Sequence, residues 1–134
     1  MLLCVRDETP TGQSLSELTL EFLSERITVR ELIRERVHHE VNQFNRRQSG
    51  DLFQGLVQPA HADVVLNGAR SEYRLKKDRP IDGEAQFEQA LAGFEANRFF
   101  VIIDDRQVES LDQEFKIGPR TVVSFVKLIP LIGG

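Results

Sequence analysis

Residues 98–108 read RFFVIIDDRQV and place an apolar run directly before a turn signal. Successive apolar residues at 99–103 predict a strand that is buried on both faces or nearly so. Asp104 and Asp105 favour a turn, because Asp side chains form local hydrogen bonds with the backbone. Residues 106–108 predict a short returning strand. The rest of the chain must supply partners for this pair of strands.

The residues that follow lead into the C-terminus. Residues 111–115 predict a helical turn or a loop, and Gly118-Pro119 predicts a break. Residues 121–129, TVVSFVKLI, are rich in β-branched side chains and predict a final strand. That strand runs directly into Pro130-Leu131-Ile132-Gly133-Gly134. A strand of the fold therefore delivers the C-terminal tail.

The N-terminal part predicts a hairpin followed by a helix. Residues 2–6 and 18–23 are strand-like runs, with turn residues at 9–12 between them. A helix is predicted from about Thr28 to about Arg47, because Thr28 and Glu31 fit a capping box. Apolar residues then recur at spacings of three and four: Val29, Leu32, Ile33, Val37, Val41 and Phe44. This apolar stripe can cover one face of the hairpin.

Residues 48–97 are broken into short pieces by glycines and prolines. Asn67-Gly68 lies between strand-like residues 64–66 and 73–75, which predicts a small hairpin. Asp82-Gly83 opens a second helix, and Asn97 is a suitable terminator. We interpret 48–97 as an elaboration of a single domain spanning 1–134, because its apolar residues need the rest of the fold to pack against.

Composition limits the class of protein. The chain has 134 residues, 40% of them hydrophobic and 28% charged, which is typical of one compact domain. A formal net charge of −4 disfavours a nucleic-acid binder, because phosphate neutralisation needs a dense Lys/Arg face. No stretch approaches the roughly 18 apolar residues of a membrane helix, and the lone Cys4 suits a reducing compartment. We therefore expect a cytoplasmic protein without membrane or nucleic-acid partners.

The sequence shows no pattern typical of catalysis or metal binding. His38 and His39 are adjacent on the predicted helix and face different directions, so they do not form a metal pair. Asp104 and Asp105 are better explained as turn residues than as paired catalytic carboxylates. There is also no phosphate loop, nucleophile elbow or zinc-ligand spacing. We expect no catalytic residue, no metal and no bound cofactor.

The order of these elements resembles the β-grasp fold of ubiquitin-like proteins. The resemblance covers about residues 1–47 and 98–134, and it is most particular at 102–108, followed by Leu111-Asp112, the bend at Gly118 and the Gly-Gly end. It implies an α+β fold in which a mixed sheet packs on a long helix, with 48–97 inserted before the third main strand. Both bacterial-type ubiquitin-like modifiers and the sulfur carriers of thiamin and molybdopterin synthesis share this resemblance.

The Gly133-Gly134 end is unusual in itself. At an average glycine usage near 7%, two terminal glycines occur by chance in roughly 0.5% of chains. A disordered terminus or a truncated chain would also account for such an ending. The resemblance implies that Gly133 and Gly134 form a conjugation terminus, whose carboxylate an activating enzyme adenylates with ATP and then holds as a thioester. Glycine suits this role because it lets an extended tail thread a narrow channel.

The same resemblance assigns contacts to further residues. Pro130 stiffens the start of the tail, and Leu131 and Ile132 fill apolar pockets on the activating enzyme. The alternative for these residues is a frayed end that folds back on its own domain. Phe100 and Ile102 are placed near a partner surface, although core packing accounts for them equally well. Arg106 stands where ubiquitin has a chain-forming lysine, so chains built from that position are not expected.

Three functions remain open. In a modifier, the tail is joined to a target amine by an isopeptide bond, with a conjugating enzyme and a deconjugating protease as further partners. In a sulfur carrier, the tail becomes a thiocarboxylate, and the apolar tail resembles that branch more closely. The length of the chain favours the modifier, since sulfur carriers are typically shorter. The third function is a β-grasp interaction module that never uses its terminus.

Overall fold

The computed structural model describes residues 1–47, 50–67, 70–76 and 80–128. These residues form an α+β fold with a mixed sheet and two helices. The first part contains β1 (Leu2–Glu8), β2 (Ser14–Glu21), β3 (Arg26–Thr28) and α1 (Val29–Arg47). The insert, residues 48–97, contains β4 (Leu52–Phe53), β5 (Ala62–Asn67), β6 (Arg70–Leu75) and α2 (Gly83–Glu95). The last part contains β7 (Phe99–Ile103), β8 (Arg106–Gln107), β9 (Glu114–Lys116) and β10 (Val122–Lys127).

The main sheet has five strands in the order β2-β1-β10-β7-β8. β1 and β10 run parallel, while the other neighbouring pairs are antiparallel. Parallel strands need a crossover connection, and here the crossover comprises most of the chain. In the described part of the chain, the first strand, β1, pairs with the last strand, β10, at the centre of the sheet.

The turn between β7 and β8 is confirmed at Asp104-Asp105. Both residues have positive φ, 48° and 67°, which is the pattern of a type I′ hairpin turn. The Asp104 carboxylate accepts a hydrogen bond from the Val122 amide at 3.1 Å. This bond joins the turn to β10, so Asp104 is held by the neighbouring strand and not by the local hydrogen bond that the sequence predicts.

β7 is buried on one face only, which corrects the expectation of burial on both faces. Phe99, Val101 and Ile103 are buried, whereas Phe100 and Ile102 are half-buried. This alternation is that of a strand with a single core face. Because large apolar side chains lie on both faces of β7, the sequence does not show which face is the buried one.

α1 begins at the predicted cap. The Glu31 amide donates to the Thr28 hydroxyl at 3.1 Å, which satisfies one of the amides that have no partner within the helix. The buried side chains of α1 are most of the predicted stripe with one addition: Val29, Leu32, Ile33, Arg36, Val37 and Val41. The apolar ones form a single core with inward residues of the main sheet, including Leu3, Val101 and Phe125.

Residues 111–113 form the expected turn and loop, but residues 114–116 form a strand, which corrects the end of the helical turn or loop expected at 111–115. β9 pairs with β3 in antiparallel register, with Phe115 opposite Ile27. Strands of three residues have too little periodicity to be detected without their partner. The pairing fixes the segment that precedes α1.

The insert forms a small antiparallel sheet in the order β4-β6-β5, together with α2. β5 and β6 confirm the predicted hairpin, with Asn67 opposite Arg70, and the two-residue β4 is an addition to it. α2 confirms the second predicted helix, with Asp82 accepting from the Glu84 amide at 3.0 Å. Asn97 follows its end with a φ of 57°, as a helix terminator does. Neither of the two described helices is both long and apolar enough to cross a membrane.

Candidate functional site

The predicted conjugation tail follows the central strand. β10 ends at Lys127, and the Leu128 amide donates to the Arg98 carbonyl at 3.3 Å. Leu128 is 44% exposed, so the chain is at the protein surface at this point. The residues assigned to the tail by resemblance lie outside the described part of the chain: Pro130, Leu131, Ile132, Gly133 and Gly134.

Phe100 and Ile102, the predicted partner surface, lie on the face of β7 opposite the buried core. Their neighbours on β10 are Val126 and Ser124. The Ser124 hydroxyl donates to the Glu8 carboxylate at 3.0 Å. Because Phe100 and Ile102 are only half-buried, part of each side chain is open to a partner.

A buried ion cluster lies on the core side of the sheet. Arg36 on α1 is 2% exposed. Its Nη1 and Nη2 donate to the two oxygens of the Asp7 carboxylate, and its Nε donates to Glu40 at 2.6 Å. The guanidinium carbon also lies 4.4 Å from the centre of the Phe125 ring. One side chain thus connects α1 with β1 and β10.

Arg36 stays charged in spite of its burial. Burial acts to lower the pKa of this guanidinium, but the charges of Glu40 and Asp7 and their hydrogen bonds outweigh that effect and raise the pKa of Arg36. Both acceptor groups are used by the guanidinium. The cluster therefore resembles a structural ion cluster, in which one guanidinium is shared by two carboxylates, more than it resembles a catalytic acid or base.

Lys127 connects this cluster to the insert. Its Nζ donates to the Gly55 carbonyl at 2.7 Å and lies 5.4 Å from the centre of the Tyr73 ring. Burial and the positive charge of Arg36 lower the pKa of Lys127, against the opposite effect of the carboxylates of Asp7 and Glu40. The strand that precedes the tail is thus hydrogen-bonded to the insert through its last residue.

A cavity of about 190 Å³ opens beside the cluster. Its lining includes charged and amide side chains: Asp7, Arg36, Glu40, Gln54, Glu72 and Lys127. Glu72 is buried and accepts a hydrogen bond from the Gln54 side-chain amide at 2.9 Å. The cavity therefore lies where the main sheet, α1 and the insert meet.

The single tyrosine of the chain reports on this junction. Burial, aided by the negative charge of Glu40, raises the pKa of Tyr73 from 10.0 to about 12. We expect the tyrosinate absorbance of the folded protein to titrate near pH 12, and that of the denatured chain near its ordinary value of about 10. Because the folded state keeps a proton that the unfolded chain releases, the free energy of unfolding falls as pH rises from 10 to 12. A folded-state midpoint near 10 would contradict this burial.

Arg36, Glu40, Asp7 and Lys127 are not among the site residues that the sequence predicts. A signal for two of them existed, since Arg36 lies seven residues after Val29 and Glu40 lies four after Arg36. Those spacings place both on the buried side of α1. Nothing local in the sequence pairs them with Asp7 or Lys127.

The described residues, 1–47, 50–67, 70–76 and 80–128, contain no group of three His, Cys, Asp or Glu side chains placed to hold a metal ion. No protein-family model matches the chain, and no curated protein and no solved structure matches it. Its function must therefore be inferred from its own residues and geometry.

Proposed function

We propose that the chain is a ubiquitin-like modifier of the β-grasp fold, whose Gly133-Gly134 terminus is activated and joined to a target amine. One observation carries the proposal. The last strand in the described part of the chain, β10, lies at the centre of the main sheet beside β1 and is followed within a few residues by the two terminal glycines. A central strand gives the tail a fixed point of departure from the protein.

The arrangement of the main sheet supports the fold assignment. The β1–β2 hairpin, α1, the β7–β8 hairpin and β10 follow each other in the order that the resemblance implies. The parallel pairing of β1 with β10 also agrees with it, since a grasp-like sheet brings both ends of the domain to its centre. The insert is added between α1 and β7 without interrupting that order.

The chemistry requires the help of a partner. A free carboxylate is a poor acyl donor, so it must be adenylated with ATP and passed to a thiol before an amine can accept it. The activating enzyme supplies those groups, and this chain contributes no catalytic residue. Pro130, Leu131 and Ile132 contact that enzyme, while Phe100 and Ile102 offer a second surface to it, to a conjugating enzyme or to a deconjugating protease.

A sulfur carrier is the second candidate. The apolar residues of the tail, Leu131 and Ile132, favour it, because they resemble the ending of such carriers more closely than the arginine-containing tail of ubiquitin. In that case sulfide attacks the acyl carbon of the adenylate, AMP leaves, and the terminus becomes a thiocarboxylate. A non-conjugated interaction module is the third candidate, in which the exposed parts of Phe100 and Ile102 act and the tail does not.

One experiment separates the three candidates. The full chain is incubated with ATP and an adenylating enzyme of the ubiquitin-activating class from the same genome, and intact masses are then measured. A modifier yields an adenylate and an enzyme thioester. A sulfur carrier supplied with a sulfur donor yields a mass gain equal to the exchange of one oxygen for one sulfur. An unchanged mass, with no pyrophosphate released, would rule out both uses of the tail.

The lysines should differ in their reactivity as acceptors. Lys116 is exposed on β9, and the side chain of Lys76 is 60% exposed, whereas Lys127 Nζ is bonded to Gly55. The lowered pKa of Lys127 favours the reactive neutral amine, but access decides because the amine is partly buried and bonded to Gly55. We expect an acetylating ester to modify Lys116 and Lys76 roughly tenfold faster than Lys127, measured by peptide mass spectrometry. Equal rates would show that Lys127 is not held in this way.

A further inference from the structure

We propose that the insert supports the base of the tail through Lys127, and that this restraint helps the tail to enter the activating enzyme. The inference rests on the proposed function and deepens it, because it gives residues 48–97 a role. It is carried by two contacts. Lys127 bonds to Gly55 in the insert, and Leu128 bonds to Arg98, the residue directly after the insert.

The first support is the bond between Lys127 and the loop after β4. Lys127 Nζ donates to the Gly55 carbonyl at 2.7 Å, and Gly55 is buried. A Cβ added at Gly55 would lie 2.2 Å from the buried Phe53 ring. Glycine is therefore required for this loop to pass so close to the ring, and the loop presents its carbonyl to Lys127 from a tightly packed position.

The loop is also tied to α1. The Leu56 amide donates to Glu40 Oε2 at 3.0 Å, while Glu40 Oε1 accepts from Arg36. The carbonyl that holds Lys127 and the amide that holds Glu40 thus belong to adjacent residues. Movement of Lys127 relative to α1 requires at least one of these bonds to break.

The second support comes from the end of α2. The Leu128 amide donates to the Arg98 carbonyl at 3.3 Å, and the Arg98 amide donates to the Gly93 carbonyl at 2.9 Å. The Phe99 ring lies 6.2 Å from the Phe94 ring on α2. Lys127 and Leu128 are therefore held from two directions, by the loop after β4 and by the α2–β7 junction.

A restrained base lowers the cost of binding. A tail that must thread a narrow channel loses conformational freedom on entry, and each segment ordered beforehand reduces that loss. Restraint of this kind acts on association, not on the chemical step. We therefore expect it to affect the KM of the activating enzyme for this chain and to leave kcat unchanged.

The test compares Lys127→Met with Lys116→Met. Methionine keeps an unbranched apolar stem but cannot donate to Gly55, and the Lys116 variant controls for the loss of one charge at an exposed position. Amide hydrogen exchange is measured at Leu56 and Leu128, and ATP–pyrophosphate exchange is measured with the activating-class enzyme. We expect Lys127→Met to speed amide exchange at both positions about tenfold and to raise KM about fivefold, with no effect in the control.

The outcomes are distinct. Unchanged amide exchange in Lys127→Met overturns the inference, as does faster amide exchange with an unchanged KM. A lower kcat with the same KM also overturns it, because the restraint would then act on chemistry. Should Lys127→Met not fold, Lys127→Leu is used, which also removes the donor to Gly55 and keeps an apolar side chain, and the same outcomes apply. Failure of the proposed function appears separately, as the absence of pyrophosphate exchange in the wild-type protein.

Discussion

Replacing Arg36 with methionine lowers the free energy of unfolding by about 3–5 kcal/mol. The loss arises less from the missing attraction than from what remains. Asp7 and Glu40 lose the guanidinium that donates to both of them. Two negatively charged carboxylates then remain close together and unpaired on the core side of the sheet. Methionine keeps much of the apolar stem of arginine, so the change reports mainly on charge. Urea denaturation followed by circular dichroism measures it.

Arg30→Met is the matched control. Arg30 pairs with Asp112 at 3.1 Å, but both side chains are open to solvent, and such pairs contribute no more than about 1 kcal/mol. A loss in Arg36→Met as small as in this control would contradict the description of the cluster as buried. Adding Asp7→Asn and Glu40→Gln to Arg36→Met should recover part of the loss, because the uncompensated charges are then removed.

The order of the elements could be predicted because each long element has its own periodicity. The apolar stripe of α1, the β5–β6 hairpin and the Asp104-Asp105 turn all depend on residues close in sequence. β3, β4 and β9 could not be predicted, because these strands of two or three residues are defined by partners distant in sequence. The equally short β8 could be predicted, because it follows β7 through the Asp104-Asp105 turn. The burial of β7 on one face only was also inaccessible, since a run of five apolar residues is compatible with either arrangement.

The ion cluster shows a different limit of sequence analysis. Arg36 and Glu40 occupy stripe positions on α1, yet charged residues are fully buried only when paired. Their partners come from β1, nearly thirty residues earlier in the case of Asp7, and from the insert. Sequence spacing cannot supply such pairings. The residues of the tail are the reverse case, because the role proposed for them rests on the sequence alone.

Deleting Gly134 should abolish activation and leave the fold intact. Glycine has no side chain that could contribute to a core, so we expect the free energy of unfolding to change by less than about 0.5 kcal/mol. The carboxylate, in contrast, moves back by one residue, about 3.5 Å in an extended chain. Since a misplacement of about 1 Å can cost 100-fold in rate, pyrophosphate exchange should fall by at least about 100-fold.

Gly134→Ala separates length from side chain in the same assay. This variant keeps the carboxylate at its distance from β10 and adds only a methyl group, so it should lose less activity than the deletion if reach decides. It should lose as much if the channel admits glycine alone, because an added Cβ then blocks entry. Equal rates for the wild type, the deletion and Gly134→Ala would show that the terminus takes no part. The half-buried side chains of β7 would then be the place to seek function, because Phe100 and Ile102 are partly open to a partner whether or not the tail is used.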